Sequence, residues 1–145
     1  MMITDIRTTP LLVRNKVPYH WAHGVTYGAE VILVEVQTDD GLSGYGECIA
    51  TPSTAGVMSF VDLAAQHVIG QSVFRSRQAM TQCYHALFQA RGTCSAPRFA
   101  SQVLAGLEMA MWDAAGKTAG CAVHELLGGK VRDEIEYFGF IQGET

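Results

Sequence analysis

Long apolar runs are what this sequence of 145 residues most clearly lacks, since none approaches the roughly 20 residues of a membrane-spanning helix. The N-terminus also lacks the charged-then-apolar pattern of a secretory signal peptide. Basic residues are few: ten Lys and Arg are scattered along a chain of net charge -4, without the basic stripe that binds nucleic-acid phosphates. We therefore expect a cytoplasmic protein that binds neither membranes nor nucleic acids.

Cysteine pairs with metal-binding or redox spacing are also missing. The four cysteines show no C-x-x-C spacing and lie inside or beside apolar segments, which favours reduced, buried thiols over disulfides or a zinc site. They are Cys48, Cys83, Cys94 and Cys121. With 48% hydrophobic and 17% charged residues, the chain is expected to form one globular domain around one core.

The first half of the sequence has the composition and the period of strands. The segment Ile3 to Val13 is rich in Ile, Thr, Leu and Val, and Ala29 to Thr38 alternates between apolar and polar residues. Asp39, Asp40 and Gly41 favour a turn, so Leu42 to Cys48 is predicted to return as a third antiparallel strand. The apolar face of the second strand consists of Ile32, Val34 and Val36.

The second half changes to a helical period. Ser59 and Asp62 resemble a capping box and predict the start of the first helix, while Gly92 is expected to end the second. Asp113 and Lys117, four residues apart, form a favourable pair on the third helix. The apolar stripes are Phe60, Leu63, Ala64, His67 and Val68; Met80, Cys83, Tyr84, Leu87 and Phe88; and Phe99, Val103, Leu107, Ala110, Met111 and Ala114. Strands followed by helices predict a two-layer α+β domain.

Two segments depart from this pattern. Asn15 to Tyr27 shows neither a strand nor a helix period and is predicted to be a long loop, which makes it a candidate lid over a binding site. Ile135 to Ile141 resembles a strand, but the chain supplies no obvious partner for it after three helices. A strand without a partner leaves its backbone groups unpaired, so we expect this segment to begin a further β unit.

The third helix and the residues after it carry a long, specific motif. Its residues are Glu108, Ala110, Trp112, Asp113, Gly116, Lys117, Gly120, Leu126-Leu127-Gly128-Gly129 and Arg132. Together with Gly44-Tyr45-Gly46-Glu47, this motif closely resembles the mandelate racemase and muconate lactonizing enzyme branch of the enolase superfamily. The resemblance implies a capping domain over residues 1-130, a three-stranded meander followed by a three-helix layer. It also implies that residues 131-145 begin a truncated (β/α)₇β barrel.

The resemblance also implies a chemistry. Enzymes of this branch abstract a proton α to a carboxylate, with Mg²⁺ holding the intermediate and a Lys or His acting as the base. The parent would be a racemase, an acid-sugar dehydratase or a cycloisomerase, hence an isomerase or lyase acting on a small-molecule carboxylate. The family's metal ligands and base lie on barrel strands beyond Thr145, so the resemblance implies no catalytic or metal-binding residue here and no activity for this chain alone. The alternative is a free-standing binding or dimerisation module, and a homo-oligomer is open in either case.

Candidate substrate contacts lie in the two segments that the resemblance identifies as capping loops. The first is Asn15 to Tyr27, which it implies is a mobile specificity loop, and the second is Cys48 to Gly56. An imidazole or indole over a barrel mouth can hydrogen-bond a polyol or acid and exclude water, whereas the alternative is aromatic packing within the loop. The candidates are His20, Trp21, Tyr19 and His23 in the first loop and Glu47 beside the second. His20 and His23 could also clamp a metal, but no third ligand is evident.

Overall fold

A computed structural model of the chain describes residues 1-89 and 97-139. Three strands form one antiparallel sheet in the order β1-β2-β3, and helices follow them along the chain. The elements are β1 (Ile3–Trp21), β2 (Gly24–Thr38), β3 (Ser43–Ile49), α1 (Thr54–Val68), α2 (Ser76–Tyr84), α3 (Pro97–Ala119) and the short α4 (Val123–Leu126). A 3₁₀ turn, Val73–Arg75, precedes α2, and a π turn, His85–Gln89, follows it. The predicted α+β architecture is confirmed. None of the described helices is long and apolar enough to cross a membrane.

The core lies between the inner face of the sheet and the helices. Ile32, Val34 and Val36 are fully buried there, as their alternation predicts. The third helix covers them with residues that were also predicted, since Val103, Leu107, Ala110, Met111 and Ala114 are all inaccessible to solvent. Burying each of the Ile, Val, Leu and Met side chains among them contributes about 1.5-3 kcal/mol, so this two-layer contact stabilises the domain substantially.

Two glycines on the inner face of β3 let α3 approach the sheet closely. A Cβ at Gly44 would lie 2.5 Å from the backbone nitrogen of Ala114, and one at Gly46 would lie 2.7 Å from that of Ala110. Both distances are shorter than real Cβ atoms tolerate, and the neighbours are backbone atoms that cannot turn aside. Gly106 on α3 meets the strand in the same way, at 2.9 Å from the carbonyl carbon of Glu47.

A polar pair fixes the register of α3 against β3. Asp113 Oδ2 accepts hydrogen bonds from Lys117 Nζ at 2.7 Å and from the backbone nitrogen of Tyr45 at 2.8 Å. Lys117 Nζ also donates to the carbonyl oxygen of Ser43 at 2.8 Å. Because β3 is an edge strand, these bonds satisfy backbone groups that would otherwise face solvent. The predicted i, i+4 pair is therefore confirmed, with a structural role.

The predicted start of the first helix is wrong. The helix begins at Thr54 and its cap is Ser53, six residues before Ser59, because the hydroxyl of Ser53 accepts a hydrogen bond from the backbone nitrogen of Gly56. Ser59 lies inside the helix, where its hydroxyl donates to the carbonyl oxygen of Ala55. The buried stripe is consequently rotated, and Leu63 and His67, which were expected to be buried, are exposed. The buried residues are Val57, Val61, Ala64, Ala65 and Val68.

The segment predicted to be a long loop, Asn15 to Tyr27, instead continues both strands as a two-stranded ribbon. Pairing runs to Trp21 opposite Gly24, with one irregularity between Arg14 and Tyr19. The Val, Thr and Tyr side chains of this segment favour strands, and Gly24 closes the turn at φ +146°. The second predicted loop is also shorter, because only residues 50-53 separate β3 from α1.

The predicted late strand does not form in its described part. Residues 135-139 are assigned to no strand, and the side chain of Tyr137 is 93% exposed. The physical reason is that no strand within residues 1-89 and 97-139 offers its backbone groups to this segment for pairing. Ile141, at the end of the predicted strand, lies outside the described residues, as do Gly92 and its expected helix cap.

Burial of the cysteines agrees with their predicted role as reduced thiols. Cys48 and Cys83 are free and fully buried, while Cys121 is free and half-buried. Burial raises the pKa of the Cys83 thiol to about 11, and it raises the pKa of Cys48 as well. Both side chains therefore stay protonated and inert at neutral pH. Cys94 lies outside the described residues.

Candidate functional site

The tip of the ribbon gathers four of the five candidate residues. Tyr19 pairs with Thr26 and His20 with Val25, so these side chains alternate between the two faces of the ribbon just below its turn. Trp21 is 52% exposed, and its ring meets that of His23 edge-on, with 5.0 Å between the centroids. The tip thus presents an indole and an imidazole in contact, surrounded by solvent.

The ribbon also differs from the rest of the chain in charge. Residues 14-27 contain Arg14 and Lys16 and no acidic residue, although the whole chain carries a net charge of -4. The sequence analysis missed these two cations because Arg14 and Lys16 belong to no recognisable motif. A cationic, aromatic surface favours an anionic ligand with hydroxyl groups, since the charges attract the anion and the rings supply apolar contact and hydrogen-bond donors.

A small cavity lies at the root of the ribbon. It has a volume of about 280 Å³ and is lined by Pro10, Leu11, Leu12, Glu30 and Thr54. The hydroxyl of Thr54 donates to Glu30 Oε2 at 2.9 Å, which connects the start of α1 to the ribbon. Sequence reasoning missed Glu30 and Thr54, because nothing in the order of residues indicates that α1 begins beside this point of β2.

Glu47 is not brought together with the tip. It lies in β3 opposite Leu33, which in turn pairs with Thr9 on β1, and its side chain is exposed on the outer face of the sheet. From Thr9, the chain continues for twelve residues to Trp21, a distance of about 40 Å in an extended strand. The candidate residues therefore occupy two separate places, the ribbon tip and the outer sheet face.

The described residues contain no cluster of side chains that could ligate a metal ion. Over residues 1-89 and 97-139, no three His, Cys, Asp or Glu side chains are close enough to hold an ion. The tip offers only the two imidazoles of His20 and His23, whereas Mg²⁺ prefers an octahedral set of oxygen ligands. The described part of the chain therefore does not fit a resident Mg²⁺ ion.

The largest of the described cavities lies away from the ribbon, between α2 and α4. It has a volume of about 830 Å³, and its apolar wall includes Phe74, Trp112, Leu126 and Leu127. A neighbouring cavity of about 450 Å³ between α2 and α3 contains Arg77 and, opposite it, Glu108. Neither cavity contains a residue of the candidate site.

Three antiparallel strands followed by a layer of helices are the architecture of the enolase N-terminal capping domain. The chain belongs to the mandelate racemase / muconate lactonizing enzyme family, whose N-terminal domain matches residues 3–128. The expected family and fold are thereby confirmed, including the three antiparallel strands followed by helices.

Characterised relatives add detail. The chain is 32% identical over 113 residues to the D-galactonate dehydratase of Xanthomonas euvesicatoria pv. vesicatoria (strain 85-10), covering 78% of this chain and 28% of that protein. It is similar to an enolase of Thermobispora bispora DSM 43833 complexed with magnesium and formate, at 30% identity and a TM-score of 0.78, covering 96% of this chain and 34% of the other. It is also similar to a dipeptide epimerase of Enterococcus faecalis V583 complexed with Mg and dipeptide L-Leu-L-Tyr, at 25% identity and a TM-score of 0.74. This match covers 89% of this chain and 35% of the other. The chain thus spans about a third of the length of these relatives.

Proposed function

We propose that this chain is the N-terminal capping domain of a larger, cytoplasmic, Mg²⁺-dependent enzyme that abstracts a proton α to a carboxylate. In this proposal residues 1-130 form the cap, residues 131-145 begin the catalytic barrel, and the chain alone is inactive. The observation that carries the proposal is the exposed ribbon tip, which offers aromatic and imidazole contacts to a ligand but no set of metal ligands. The match of residues 3–128 to the family's N-terminal domain supports the same proposal, in which a second unit supplies the chemistry.

The proposed substrate is a polyhydroxylated carboxylic acid, and the proposed reaction is its dehydration. The relative at 32% identity is a D-galactonate dehydratase. The chemistry of the ribbon supports the same class, since Arg14 and Lys16 attract a carboxylate while His20 and Trp21 can hydrogen-bond hydroxyl groups. Racemisation and cycloisomerisation remain alternatives within the same class of enzyme, because the base that decides between them is not among the described residues.

In this proposal the chain's own residues bind the substrate and exclude water. When one face of the ribbon covers the substrate, the paired rings of Trp21 and His23 would close the site, and a donor on that face, from Tyr19 or from His20, would orient the hydroxyl groups. Removing water strengthens every electrostatic contact at the reacting carbon. Bound Mg²⁺ would supply positive charge beside the substrate carboxylate, from ligands outside the described residues. Glu47, far from the tip, would contact only a ligand that reaches the sheet.

The coding sequence beyond Thr145 tests this proposal. We expect a Lys-x-Lys motif or a His-Asp pair, together with three spaced Asp or Glu residues that can ligate Mg²⁺. A stop codon after Thr145, with no barrel encoded elsewhere to bind the domain, would support the alternative function of a free-standing binding module. In that case the ribbon would recognise a macromolecular partner instead of covering a substrate.

A further inference from the structure

The sheet narrows from three strands to two at Glu30, where the ribbon begins. The last pair between β2 and β3 is Val31 with Ile49. From there to the tip, β2 pairs only with β1 among the described strands, beginning with Glu30 opposite Leu12. A two-stranded ribbon twists more than a wider sheet and is only marginally stable on its own. The direction in which the ribbon leaves the sheet therefore depends on the contacts that hold it at this junction.

Glu30 is bonded to both ends of the loop that joins β3 to α1. At one end, its carbonyl oxygen accepts a hydrogen bond from the backbone nitrogen of Ala50 at 3.3 Å. At the other end, its carboxylate oxygen Oε2 accepts a hydrogen bond from the hydroxyl of Thr54, the first residue of α1, at 2.9 Å. Residues 50-53 lie between these two bonds. One residue at the root of the ribbon thus connects the ribbon, the loop and the helix.

Side-chain packing does not fix the ribbon at this junction. Every residue from 11 to 30 is at least partly exposed, so none of them belongs to the core. The cavity of about 280 Å³ at the root is lined by Pro10 and Leu12 of β1 and by Thr54 of α1, so space remains between the strand and the helix. Glu30 lines the same cavity, and its bond to Thr54 joins the two sides. A directional bond therefore takes the place of close packing here.

The helix to which Glu30 is bonded is itself firmly anchored. Val57 and Val61, on the first turns of α1, are fully buried in the core. Glu30 lies on the same face of β2 as the buried Ile32, the face that packs against the helices, and this placement brings its carboxylate to α1. A hydrogen bond to a carboxylate is stronger than one between neutral groups. The bond to Thr54 consequently ties the ribbon to a fixed point.

We propose that Glu30 is a positioning residue whose bond to Thr54 holds the ribbon at one angle to α1 and to residues 50-53. The ribbon tip and this loop then present one continuous surface to the substrate. The inference rests on the proposed function of the chain as a cap over an active site. Glu30 does not itself touch the substrate and acts through the residues of the tip.

The length of the ribbon amplifies any tilt at its root. From Glu30, β2 runs back to Gly24 at the turn, a distance of about 20 Å in an extended strand. A tilt of about 10° at the root would therefore displace the tip by about 3.5 Å, more than the misplacement of about 1 Å that already disturbs a site. Without the bond, the tip reaches its productive position for only part of the time. The apparent affinity for the substrate then falls by that fraction.

Residual dipolar couplings of the backbone amides measure this angle in the purified chain. In the wild type, the couplings of residues 24-26 should fit the same alignment as those of α1. In Glu30→Ala and in Thr54→Val, the couplings of the tip should shrink and lose this fit, while those of α1 stay unchanged and show that the domain is folded. The double variant should lose no more than either single variant, because both changes remove the same bond.

Glu35→Ala is the matched control. Glu35 lies on the same strand, and its carboxylate also accepts a hydrogen bond from a hydroxyl, that of Ser43 at 2.8 Å. That bond joins β2 to β3 at the end of the sheet away from the ribbon, so the couplings of the tip should stay as in the wild type. Tip couplings that do not fit the alignment of α1 in the wild type, that are unchanged in Glu30→Ala, or that shrink equally in Glu35→Ala overturn the proposal.

Steady-state kinetics of the full-length product of the same gene, with Mg²⁺ and D-galactonate as the probe, separate positioning from a general structural role. Glu30→Ala should raise KM about three- to tenfold, the population shift that one net hydrogen bond produces. The value of kcat should stay unchanged, because the tip contacts the ground state and the transition state alike. Glu30→Gln keeps an oxygen acceptor for Thr54 and should return KM to within about twofold of the wild type.

A fall in kcat at constant KM in Glu30→Ala, or no rescue by Glu30→Gln, contradicts the positioning role. Absence of D-galactonate turnover by the wild-type full-length product would instead count against the proposed reaction. The dipolar couplings need no enzymatic activity, so they decide the role of Glu30 in that case as well.

Discussion

At the scale of single residues, the packing of α3 on β3 depends on two glycines, which lack side chains, as much as on the side chains that bond across the contact. Gly44 and Gly46 allow the backbone of α3 to lie almost against β3, and Asp113 and Lys117 then bond to the strand that has come within reach. The sequence shows both glycines and the Asp-Lys pair, but only their placement in one interface explains why they occur together. Two predictions follow from this interface.

Gly46→Ala should destabilise the domain by about 3 kcal/mol or more, because the new Cβ would overlap backbone atoms of α3 that cannot move without separating the layers. Urea unfolding followed by circular dichroism measures the change. The matched control is Gly56→Ala in the first turn of α1, where the nearest atom to the new Cβ is 3.5 Å away. That variant should be as stable as the wild type or more stable by about 0.5-1 kcal/mol. Equal effects of the two variants would contradict the close approach of α3.

Asp113→Ala should lower the free energy of unfolding by about 1 kcal/mol. It leaves the backbone nitrogen of Tyr45 without this acceptor and removes one of the two acceptors of the Lys117 ammonium, which keeps its bond to the carbonyl oxygen of Ser43. The better helix propensity of Ala partly offsets the loss. Asp133→Ala is the control, because its ion pair with Lys130 involves a carboxylate that is 88% exposed. The control should stay within about 0.5 kcal/mol of the wild type. A loss of the same size in both variants would mean that the α3-β3 bonds contribute nothing specific.

At the scale of elements, the sequence predicts the strand and the helix that each bury one face, but it does not predict the exposed two-stranded ribbon. The face of β2 formed by Ile32, Val34 and Val36 and the stripe of α3 are dictated by burial, so their spacing appears in the sequence. Residues 15-27 include no buried side chain, and their pairing depends on backbone hydrogen bonds that leave no periodic signal. The start of α1 was misplaced for a related reason, since the sequence does not show that the chain leaves the sheet at Ser53, whose hydroxyl caps the helix.

Replacing residues 15-27 with Asn-Gly, which joins the cross-strand partners Arg14 and Gly28 through a two-residue turn, should leave the fold intact. The free energy of unfolding should change by less than about 1 kcal/mol, because no buried side chain is removed. Ile32→Ala is the contrast, with an expected loss of about 2-5 kcal/mol from the core. If the shortened chain failed to fold, the ribbon would be part of the structural core and not an appendage that serves binding.

At the scale of the whole molecule, the chain divides its surfaces between different tasks. The inner sheet face and the helices hold the domain together, whereas the ribbon tip is exposed and is the surface proposed to contact a ligand. Of the five candidate residues, four lie together at the ribbon tip whereas Glu47 lies on another surface, a separation that the sequence could not show because it depends on the strand register. Family membership could be read from the motif of α3, and the family's N-terminal domain matches residues 3–128.

The central claim is that this domain caps an active site whose chemistry it does not supply. The most direct test is a turnover assay of residues 1-145 with Mg²⁺ on a panel of hydroxy acids and sugar acids, beside the full-length product of the same gene. The account predicts turnover by the full-length product and none by residues 1-145, even at high protein concentration. Turnover attributable to residues 1-145 themselves would contradict it.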